Sequence, residues 1–329
     1  MDIVFLGSGA FGIPSLEALV RSGHRVLHVI TQPDRPAGRG RQEMATPVGQ
    51  WVLARKGDPG SGGAIGLTRT ANVNGTEVME LLRHLKPECL VVIAFGQKMS
   101  DELLATAPRA GINLHSSLLP KYRGAAPINW ALINNDAVAG VSVIEVTRVM
   151  DAGDILALAE TPIGPSETAG ELHDRLALLG APLLLDVLDR MATGTVTRSA
   201  QDHTKTTRAP KLSRELAWVD FAQPAPAVSA RIRGLSPWPG VQVELTDPAG
   251  KPRVQAAILK CRATESRQSH GPDDCGKVLE DRSVACRTGS LEILLVQPAG
   301  KKTMELQAFA NGYGFGPAAR LRSVVRPPE

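Results

Sequence analysis

Residues 1–30 read MDIVFLGSGAFGIPSLEALVRSGHRVLHVI and decide the fold of the first part of the chain. Two short apolar runs, Ile3 to Leu6 and Val26 to Ile30, have the length and composition of buried strands. Between them, apolar residues recur at helical spacing from Phe11 to Ser22, and Gly23 ends that helix. A strand, a helix and a second strand in this order predict a doubly wound, Rossmann-like and mostly parallel α/β sheet.

The turn after the first strand, Gly7-Ser8-Gly9-Ala10-Phe11-Gly12, fits the pattern G-x-G-x-x-G. A strand before it and a helix after it are the context of a dinucleotide-binding turn, so an NAD-dependent enzyme is one alternative. Against this alternative, the second strand ends in Thr31-Gln32 without the acidic residue that a ribose needs, and Asp34 comes later in a Pro-flanked turn. The glycines could equally serve the packing of a tight turn.

Length and composition bound the class of protein. The chain has 329 residues, of which 43% are apolar, which is enough for two domains with separate cores. No run approaches the roughly 20 apolar residues of a membrane span. The N-terminus begins directly as a strand, without a basic leader, so we expect no export or organelle signal and a cytoplasmic protein. The four cysteines show no Cys-x-x-Cys spacing, so we expect free thiols and no metal site.

Charge is distributed unevenly along the chain. Residues 1–204 carry 18 Lys and Arg against 21 Asp and Glu, a net charge of −3, whereas residues 205–329 carry 19 against 12, a net charge of +7. A basic second part is typical of a protein that binds a polyanion, but a solvated basic surface would look the same.

The second half of the chain changes character. Thr168-x-x-Glu171 is a capping box that predicts a helix, a second helix is predicted from Pro182 to Met191, and the polar run Thr197 to Thr207 is typical of a linker. We therefore predict domains at 1–197 and 213–329, joined by a linker at 198–212. Short strands separated by Gly, Pro and Asp then predict a small OB-like β-barrel; they are Val241 to Leu245, Val254 to Leu259, Lys277 to Leu279, Val284 to Arg287 and Leu291 to Val296.

The residues best suited to chemistry lie in the stretch Asn113 to Gly124. Asn113 and His115 alternate with apolar Ile112 and Leu114, so the end of a strand would present both polar side chains on one face. An amide N–H can hold a developing oxyanion, and an imidazole can donate or relay a proton. Asp151 is the candidate carboxylate partner. An Asn-x-His pair is also common as a hydrogen-bonded pair in a loop, and the pattern alone leaves both interpretations open.

A longer set of residues carries a resemblance to a known family. This set comprises Asn113-x-His115-x-Ser117-Leu118-Leu119-Pro120-x-x-Arg123-Gly124-Ala125-Ala126-Pro127-Ile128, Gly140-Val141-Ser142, Asp151-x-Gly153-Asp154, Ser236-Pro237-Trp238-Pro239-Gly240 and the stretch Leu295 to Met304. It resembles the methionyl-tRNA formyltransferases among the folate-dependent formyltransferases. The resemblance covers nearly the whole chain and is weakest at residues 57–75 and 262–275.

The resemblance implies a reaction and its partners. A formyl group would pass from 10-formyltetrahydrofolate to the amino group of methionine on initiator tRNA, for translation initiation, without a metal and without a covalent nucleophile. We expect a monomer that does not bind a membrane. Asn113 and His115 would hydrogen-bond the oxyanion, and Asp151 would orient His115 and help move a proton from the attacking amine to the leaving folate nitrogen.

The resemblance also implies binding residues. Those predicted for the folate are Ala94, Phe95, Gly96, Ser117, Leu118, Leu119 and Pro120. Those predicted for tRNA are Arg35, Arg39 and Arg41, in a cationic loop from Gln32 to Arg41, together with Lys211, Lys301 and Lys302. Two further alternatives remain: a formyltransferase that acts on an amino sugar or on a purine-pathway amine, and a non-catalytic RNA-binding protein.

Overall fold

The computed structural model describes residues 1–37, 42–55, 65–109 and 111–325. Contacts divide the chain into two compact units. The first comprises Met1–Gly124, Gly140–Glu160 and His173–Arg208, and the second comprises Ala125–Ala139, Thr161–Leu172 and Ala209–Glu329. The units do not follow chain order, since two internal segments go with the second one. The domain boundaries expected from the sequence stay a prediction.

A mostly parallel sheet forms the centre of the first unit. Its strands are β1 (Asp2–Gly7), β2 (Arg25–Thr31), β5 (Gly66–Arg69), β6 (Cys89–Ile93), β7 (Gly111–His115), β9 (Val138–Glu145) and β10 (Ile155–Pro162). Among the described residues they lie in the order β10-β9-β7-β6-β1-β2-β5. Strands β1, β2, β5, β6 and β7 are parallel, and β9 is antiparallel to β7. The predicted α/β class is confirmed.

Composition explains why β6 is an interior strand. Every residue of β6 is buried, as expected where helices cover both faces of a parallel sheet. The other elements of this part of the chain are α1 (Ile13–Arg21), β3 (Arg35–Ala37), β4 (Gln42–Met44), α2 (Pro47–Ala54), α3 (Thr76–Leu85), α4 (Asp101–Leu104) and β8 (Arg123–Gly124). Strands β3 and β4 pair antiparallel, so residues 35–37 of the predicted cationic loop pair with residues 42–44.

A single long helix, α6 (Ala169–Thr193), replaces the two helices predicted there. It opens with the predicted capping box: the Thr168 hydroxyl accepts from the Glu171 N–H at 3.3 Å, and the Glu171 carboxylate accepts from the Thr168 N–H at 2.9 Å. Pro182 lies inside the helix. An interior proline costs about 3 kcal/mol, but the fully buried Leu176 and Leu184 continue one apolar stripe on both sides of it. Packing along that stripe keeps the helix continuous.

The second unit is built around an antiparallel sheet. Its strands are β12 (Val241–Thr246), β13 (Pro252–Ala263), β14 (Val284–Ala285), β15 (Ser290–Pro298), β16 (Met304–Glu305) and β17 (Arg320–Ser323), and its helices are α5 (Pro127–Ile133), α7 (Ala225–Gly234) and α8 (Leu306–Tyr313). A two-residue strand, β11 (Arg208–Ala209), precedes them. The sheet order is β14-β15-β13-β12-β17, with β16 beside β15.

The sheet is nearly closed into a barrel. Lys277 forms a bridge with Arg320 of the β17 edge, and Val278 forms a bridge with Val284 of the β14 edge. Residues 277–279, predicted as a strand, therefore make bridges that link the two edges. Alternate residues Val241, Val243 and Leu245 of β12 point into the core. The predicted small barrel is confirmed, whereas α8 and β17 were not predicted from the sequence.

None of the helices in the described ranges is both long enough and apolar enough to span a bilayer.

Candidate active site

Strand β7 presents Asn113 and His115 on one face of the sheet. Ile112 and Leu114 alternate with them and are buried on the opposite face, where a Cβ added to Gly180 of α6 would lie 2.6 Å from Leu114 Cδ2. The side of β7 that faces away from α6 therefore carries the amide and the imidazole. The Asn113 side chain is half-buried, and its amide makes no hydrogen bond with any residue of the described ranges.

His115 and Asp151 lie side by side in a buried setting. His115 Nδ1 is 3.7 Å from Asp151 Oδ1, and the two side chains are 8% and 11% exposed. The other carboxylate oxygen of Asp151 accepts from the Gly124 N–H at 2.9 Å. His115 Nε2 lies 3.0 Å from the Tyr122 carbonyl oxygen, and a carbonyl can only accept, so this nitrogen carries the proton. Both ring nitrogens therefore face protein groups.

Asp151 reaches the imidazole because its loop folds back over the sheet. Strand β9 is antiparallel to β7 and pairs Glu145 with Ile112, so the loop leaves the sheet near the start of β7. On its way back, the loop passes close to the end of β9. A Cβ on Gly153 would lie 1.9 Å from the Glu145 carbonyl oxygen, which explains the glycine of Asp-x-Gly. Asp151 itself has a φ of +55°, in the left-handed region that residues other than glycine rarely adopt.

A residue that sequence reasoning missed holds this loop. The buried Gln201 side chain donates to the carbonyl oxygens of Asp151 at 2.9 Å and Gly153 at 2.7 Å. Gln201 lies in the polar run interpreted as a linker. A glutamine in such a run carries no signal in the sequence, because only the folded chain shows which carbonyls it reaches.

The turn after β7 is held by hydrogen bonds to serine hydroxyls. The buried Ser142 hydroxyl donates to the Ser117 carbonyl at 2.5 Å and accepts from the Leu119 N–H at 3.0 Å. The Ser117 hydroxyl donates to the Lys121 carbonyl at 2.7 Å. Ser117 and Leu119 are buried, and Leu118 and Pro120 are half-buried. The motif Gly140-Val141-Ser142 was noted in the sequence, but its function of fixing this turn was not.

The other segment predicted to bind folate follows β6. Val92 of β6 pairs in parallel with Asn113 of β7, so Ala94 to Gly96 leave the sheet at the same edge as His115. Ala94 and Gly96 are exposed and have positive φ angles of 47° and 78°. The Phe95 side chain is buried, and its carbonyl accepts from the Gln32 amide at 2.6 Å. The contacts of Ala94, Phe95 and Gly96 with folate stay a prediction.

The glycines of the first turn have packing reasons. A Cβ on Gly7 would lie 2.5 Å from the Phe5 ring, and one on Gly9 would lie 3.2 Å from the Ala94 Cβ. At Gly12, a Cβ would lie 3.1 Å from the Phe5 ring. Close approach of the chain explains the G-x-G-x-x-G pattern without a bound dinucleotide.

The residues predicted to bind tRNA are placed only in part. Arg39 and Arg41 lie outside the described residues. The exposed Arg35 donates to the Gln32 side-chain oxygen. Lys211, Lys301 and Lys302 are exposed and form no ion pair within the part of the chain that the structure describes. Their functions remain predictions.

Comparison with known proteins decides the family. The chain is 42% identical over 314 residues to the methionyl-tRNA formyltransferase of Solibacter usitatus, covering 95% of this chain and 96% of that protein. The chain belongs to the methionyl-tRNA formyltransferase family. It is also 39% identical to the methionyl-tRNA formyltransferase of Citrifermentans bemidjiense, covering 98% of this chain and 96% of that protein. Two family descriptions match this formyltransferase chain: "Formyl transferase" at residues 1–188 and "Formyl transferase, C-terminal domain" at residues 211–314.

Solved structures share the fold. The sugar 3N-formyltransferase WlaRD, solved in the presence of dTDP and 5-N-formyl-THF, is similar with a TM-score of 0.63 and 14% identity, covering 92% of this chain and 99% of that chain. An N-formyltransferase from Helicobacter canadensis, in complex with folinic acid and dTDP-3-aminofucose, gives a TM-score of 0.62 at 15% identity, covering 90% of this chain and 98% of that chain. At these identities the similarity concerns the fold alone.

Proposed function

We propose that the chain transfers the formyl group of 10-formyltetrahydrofolate to the amino group of methionine on initiator tRNA, with Asn113, His115 and Asp151 at the reacting centre. The site is proposed to act in the cytoplasm, where the charged initiator tRNA is made and used. The observation that carries the proposal is that His115 and Asp151 lie side by side, next to an Asn113 amide that has no hydrogen-bond partner among the described residues, in a chain that belongs to this family.

The chemistry needs an oxyanion donor and a route for a proton. The methionyl amine attacks the formyl carbon and forms a tetrahedral intermediate whose oxygen carries negative charge. The Asn113 amide can donate to that oxygen without giving up a bond within the described residues. The amine must lose a proton, and the folate nitrogen that leaves must gain one. Asp151 beside His115 supplies groups that can accept and return it.

His115 must move for the role proposed for it. Its Nε2 proton is donated to the Tyr122 carbonyl, and Nδ1 is directed at Asp151, so neither nitrogen is free to hydrogen-bond an oxyanion. The 3.7 Å separation from Asp151 is longer than a hydrogen bond. The proposal therefore includes a rotation of the imidazole when the substrates bind, which releases Nε2 from Tyr122 toward the formyl oxygen.

A formyltransferase that acts on a nucleotide-linked amino sugar is the second candidate. The fold shared with two solved proteins favours it. WlaRD is a sugar 3N-formyltransferase, and the Helicobacter canadensis N-formyltransferase was solved in complex with dTDP-3-aminofucose. Against it, their identities of 14% and 15% are far below the 42% identity to a methionyl-tRNA formyltransferase.

Formyl transfer to four acceptors separates these candidates. Methionyl initiator tRNA, methionyl elongator tRNA, free methionine and a dTDP-linked amino sugar are each supplied with 10-formyltetrahydrofolate, and the formylated products are quantified. We expect rapid transfer to the initiator tRNA alone. Transfer to the amino sugar at a higher rate would exclude the proposal, and so would a His115→Ala variant of near-normal rate.

A further inference from the structure

Gln201 uses its whole side-chain amide to hold the candidate active site. Its Nε2 donates to the carbonyl oxygens of Asp151 at 2.9 Å and Gly153 at 2.7 Å. Its Oε1 accepts from Arg123 Nη2 at 2.6 Å and Nε at 3.2 Å. The residue is only 6% exposed, and a primary amide has two N–H donors and an oxygen with two lone pairs. No hydrogen-bonding capacity of this buried group is left unused.

The backbone that Gln201 holds is unfavourable on its own. Asp151 has a φ of +55°, a sparsely populated region that is strained for a residue with a side chain. A conformation of this kind persists only where surrounding contacts fix it. The Gln201 amide binds the carbonyl of Asp151 itself and the carbonyl two residues later, so it fixes the chain directly after the strained torsion.

The segment that carries Gln201 is itself anchored. Ser199 exchanges both backbone hydrogen bonds with Ile155, at 2.8 Å and 2.9 Å, where β10 begins. Gln201 therefore starts from a fixed point beside the loop. At the other end of the segment, the Thr207 hydroxyl accepts from the Tyr122 N–H at 2.8 Å. Tyr122 is the residue whose carbonyl faces His115. The segment 199–207 thus contacts both partners of the imidazole.

We propose that Gln201 is a positioning residue for formyl transfer: its amide fixes the Asp151 loop so that the carboxylate stays beside His115. The inference rests on the proposed participation of Asp151 and His115 in the reaction. Gln201 acts through Asp151, since its amide is directed at backbone carbonyls and at Arg123. Its removal should therefore lower the rate of the chemical step and leave substrate binding intact.

The first test is a Gln201→Met variant, which keeps the length of the side chain and removes its hydrogen bonds. We expect kcat to fall by about 10–100-fold, because a displacement of 1 Å at a reacting group can cost about 100-fold. The KM values for 10-formyltetrahydrofolate and for methionyl tRNA should change less than 3-fold. A Gln201→Met enzyme with a normal kcat would overturn the inference, and so would KM values that rise in proportion to the loss.

A double-mutant cycle tests whether Gln201 acts through Asp151. In an Asp151→Asn background, Gln201→Met should lower kcat by less than 2-fold, because the carboxylate that it positions is already gone. Equal effects in the two backgrounds would mean an independent function for Gln201 and would overturn the inference. The matched control is Thr204→Val in the same segment, which removes an exposed hydroxyl that donates to Asp202 and to no other described residue, and its kcat should stay normal.

A second variant distinguishes the contribution of the amide oxygen from that of the amide nitrogen. Gln201→Glu keeps an oxygen for Arg123 and loses the donor for the two carbonyls. It should lose activity as Gln201→Met does, and a normal kcat would assign the effect to Arg123 and overturn the inference. Amide hydrogen exchange of residues 150–154 gives a readout besides activity: exchange should accelerate in both Gln201 variants and not in Thr204→Val. If Asp151→Asn keeps a normal kcat while exchange accelerates in the Gln201 variants, the participation proposed for Asp151 fails, although Gln201 still holds the loop.

Discussion

Asn113 and His115 differ in how the fold uses their polar atoms. Both nitrogens of His115 face protein groups, the Tyr122 carbonyl at 3.0 Å and the Asp151 carboxylate at 3.7 Å. The half-buried Asn113 amide bonds to nothing in the described ranges. An amide on β7 without a partner among the described residues is poised to donate without first breaking one of their bonds. Asn113 therefore gives the sharpest test of the oxyanion site.

Asn113→Ala should lower kcat by about 100–1,000-fold, since the loss of one oxyanion donor costs about 2.7–4 kcal/mol of barrier. The stability of the fold should change little, because no hydrogen bond to a described residue is removed. Single-turnover formylation of charged tRNA, together with folate titration, measures both effects. Asn311→Ala on α8, where the amide is exposed and accepts from Gln307, is the control and should keep its rate. A rate loss below 10-fold in Asn113→Ala contradicts the assignment.

At the scale of elements, the loop between β9 and β10 decides whether a site exists. Strand β9 runs antiparallel to β7 and pairs Glu145 with Ile112, so the chain must turn back sharply to bring Asp151 to His115. Gly153 permits the turn because its Cα lies against the Glu145 carbonyl, and Gln201 fixes the two carbonyls on either side of Ala152. Steric fit and buried hydrogen bonds together determine where the carboxylate lies.

Gly153→Ala should disturb that loop. The added Cβ would lie 1.9 Å from backbone, which cannot move aside as a flexible side chain can, so we expect a loss of about 1–3 kcal/mol in stability and a kcat at least 10-fold lower. Urea unfolding and the formylation rate measure these effects. Gly23→Ala is the matched control, because a Cβ there meets nothing within 4 Å. Equal behaviour of the two variants would refute this account of the turn.

At the scale of the whole molecule, the two parts of the chain differ in net charge. Residues 205–329 carry a net charge of +7 against −3 for residues 1–204. Lys211, Lys301 and Lys302 are exposed and lack an ion-pair partner within the described ranges, whereas Lys277 lies 2.6 Å from Asp274. Unneutralised lysines are the ones expected to replace the counterions of a polyanion.

Binding of tRNA should weaken steeply with salt, and each of the three lysines without an ion pair to a described residue should carry part of that dependence. Lys301→Ala and Lys302→Ala should each reduce the slope of log affinity against log salt by about 1 if that lysine contacts a phosphate. Lys277→Ala is the control and should leave the slope nearly unchanged. Filter binding at several salt concentrations gives the slopes. A slope unaffected by both substitutions would remove these lysines from the tRNA interface.

The four cysteines should differ in reactivity because burial differs. Cys89, Cys261 and Cys286 are buried, and burial raises the pKa of each of these thiols to about 12. At pH 8 they are almost wholly protonated and unreactive, since the thiolate is the nucleophile. The half-exposed Cys275 should react with an aromatic disulfide in the native protein, and all four should react in denaturant. A Cys275→Ser variant that still reacts rapidly when native would contradict this expectation.

The sequence by itself determined the classes of structure, because they depend on local patterns. Apolar runs of strand length fixed β1, β2 and β6, the capping box fixed the start of α6, and short turn-separated strands indicated the barrel. Motifs that lie close together along the chain, such as Asn113-x-His115, are visible for the same reason. The continuity of α6 through Pro182 could not be predicted from the sequence, because it depends on a buried stripe whose packing partners are remote in sequence.

Only the tertiary structure decided how distant residues meet. The approach of Asp151 to within 3.7 Å of His115, the Ser142 hydroxyl between Ser117 and Leu119, and the Gln201 amide across the Asp151 loop all join segments more than 20 residues apart. Hydrogen bonds of this kind depend on the burial and direction of single atoms, which no periodicity in the chain encodes. The physical reason is that local patterns set which elements form, whereas packing of the elements sets which polar atoms face one another.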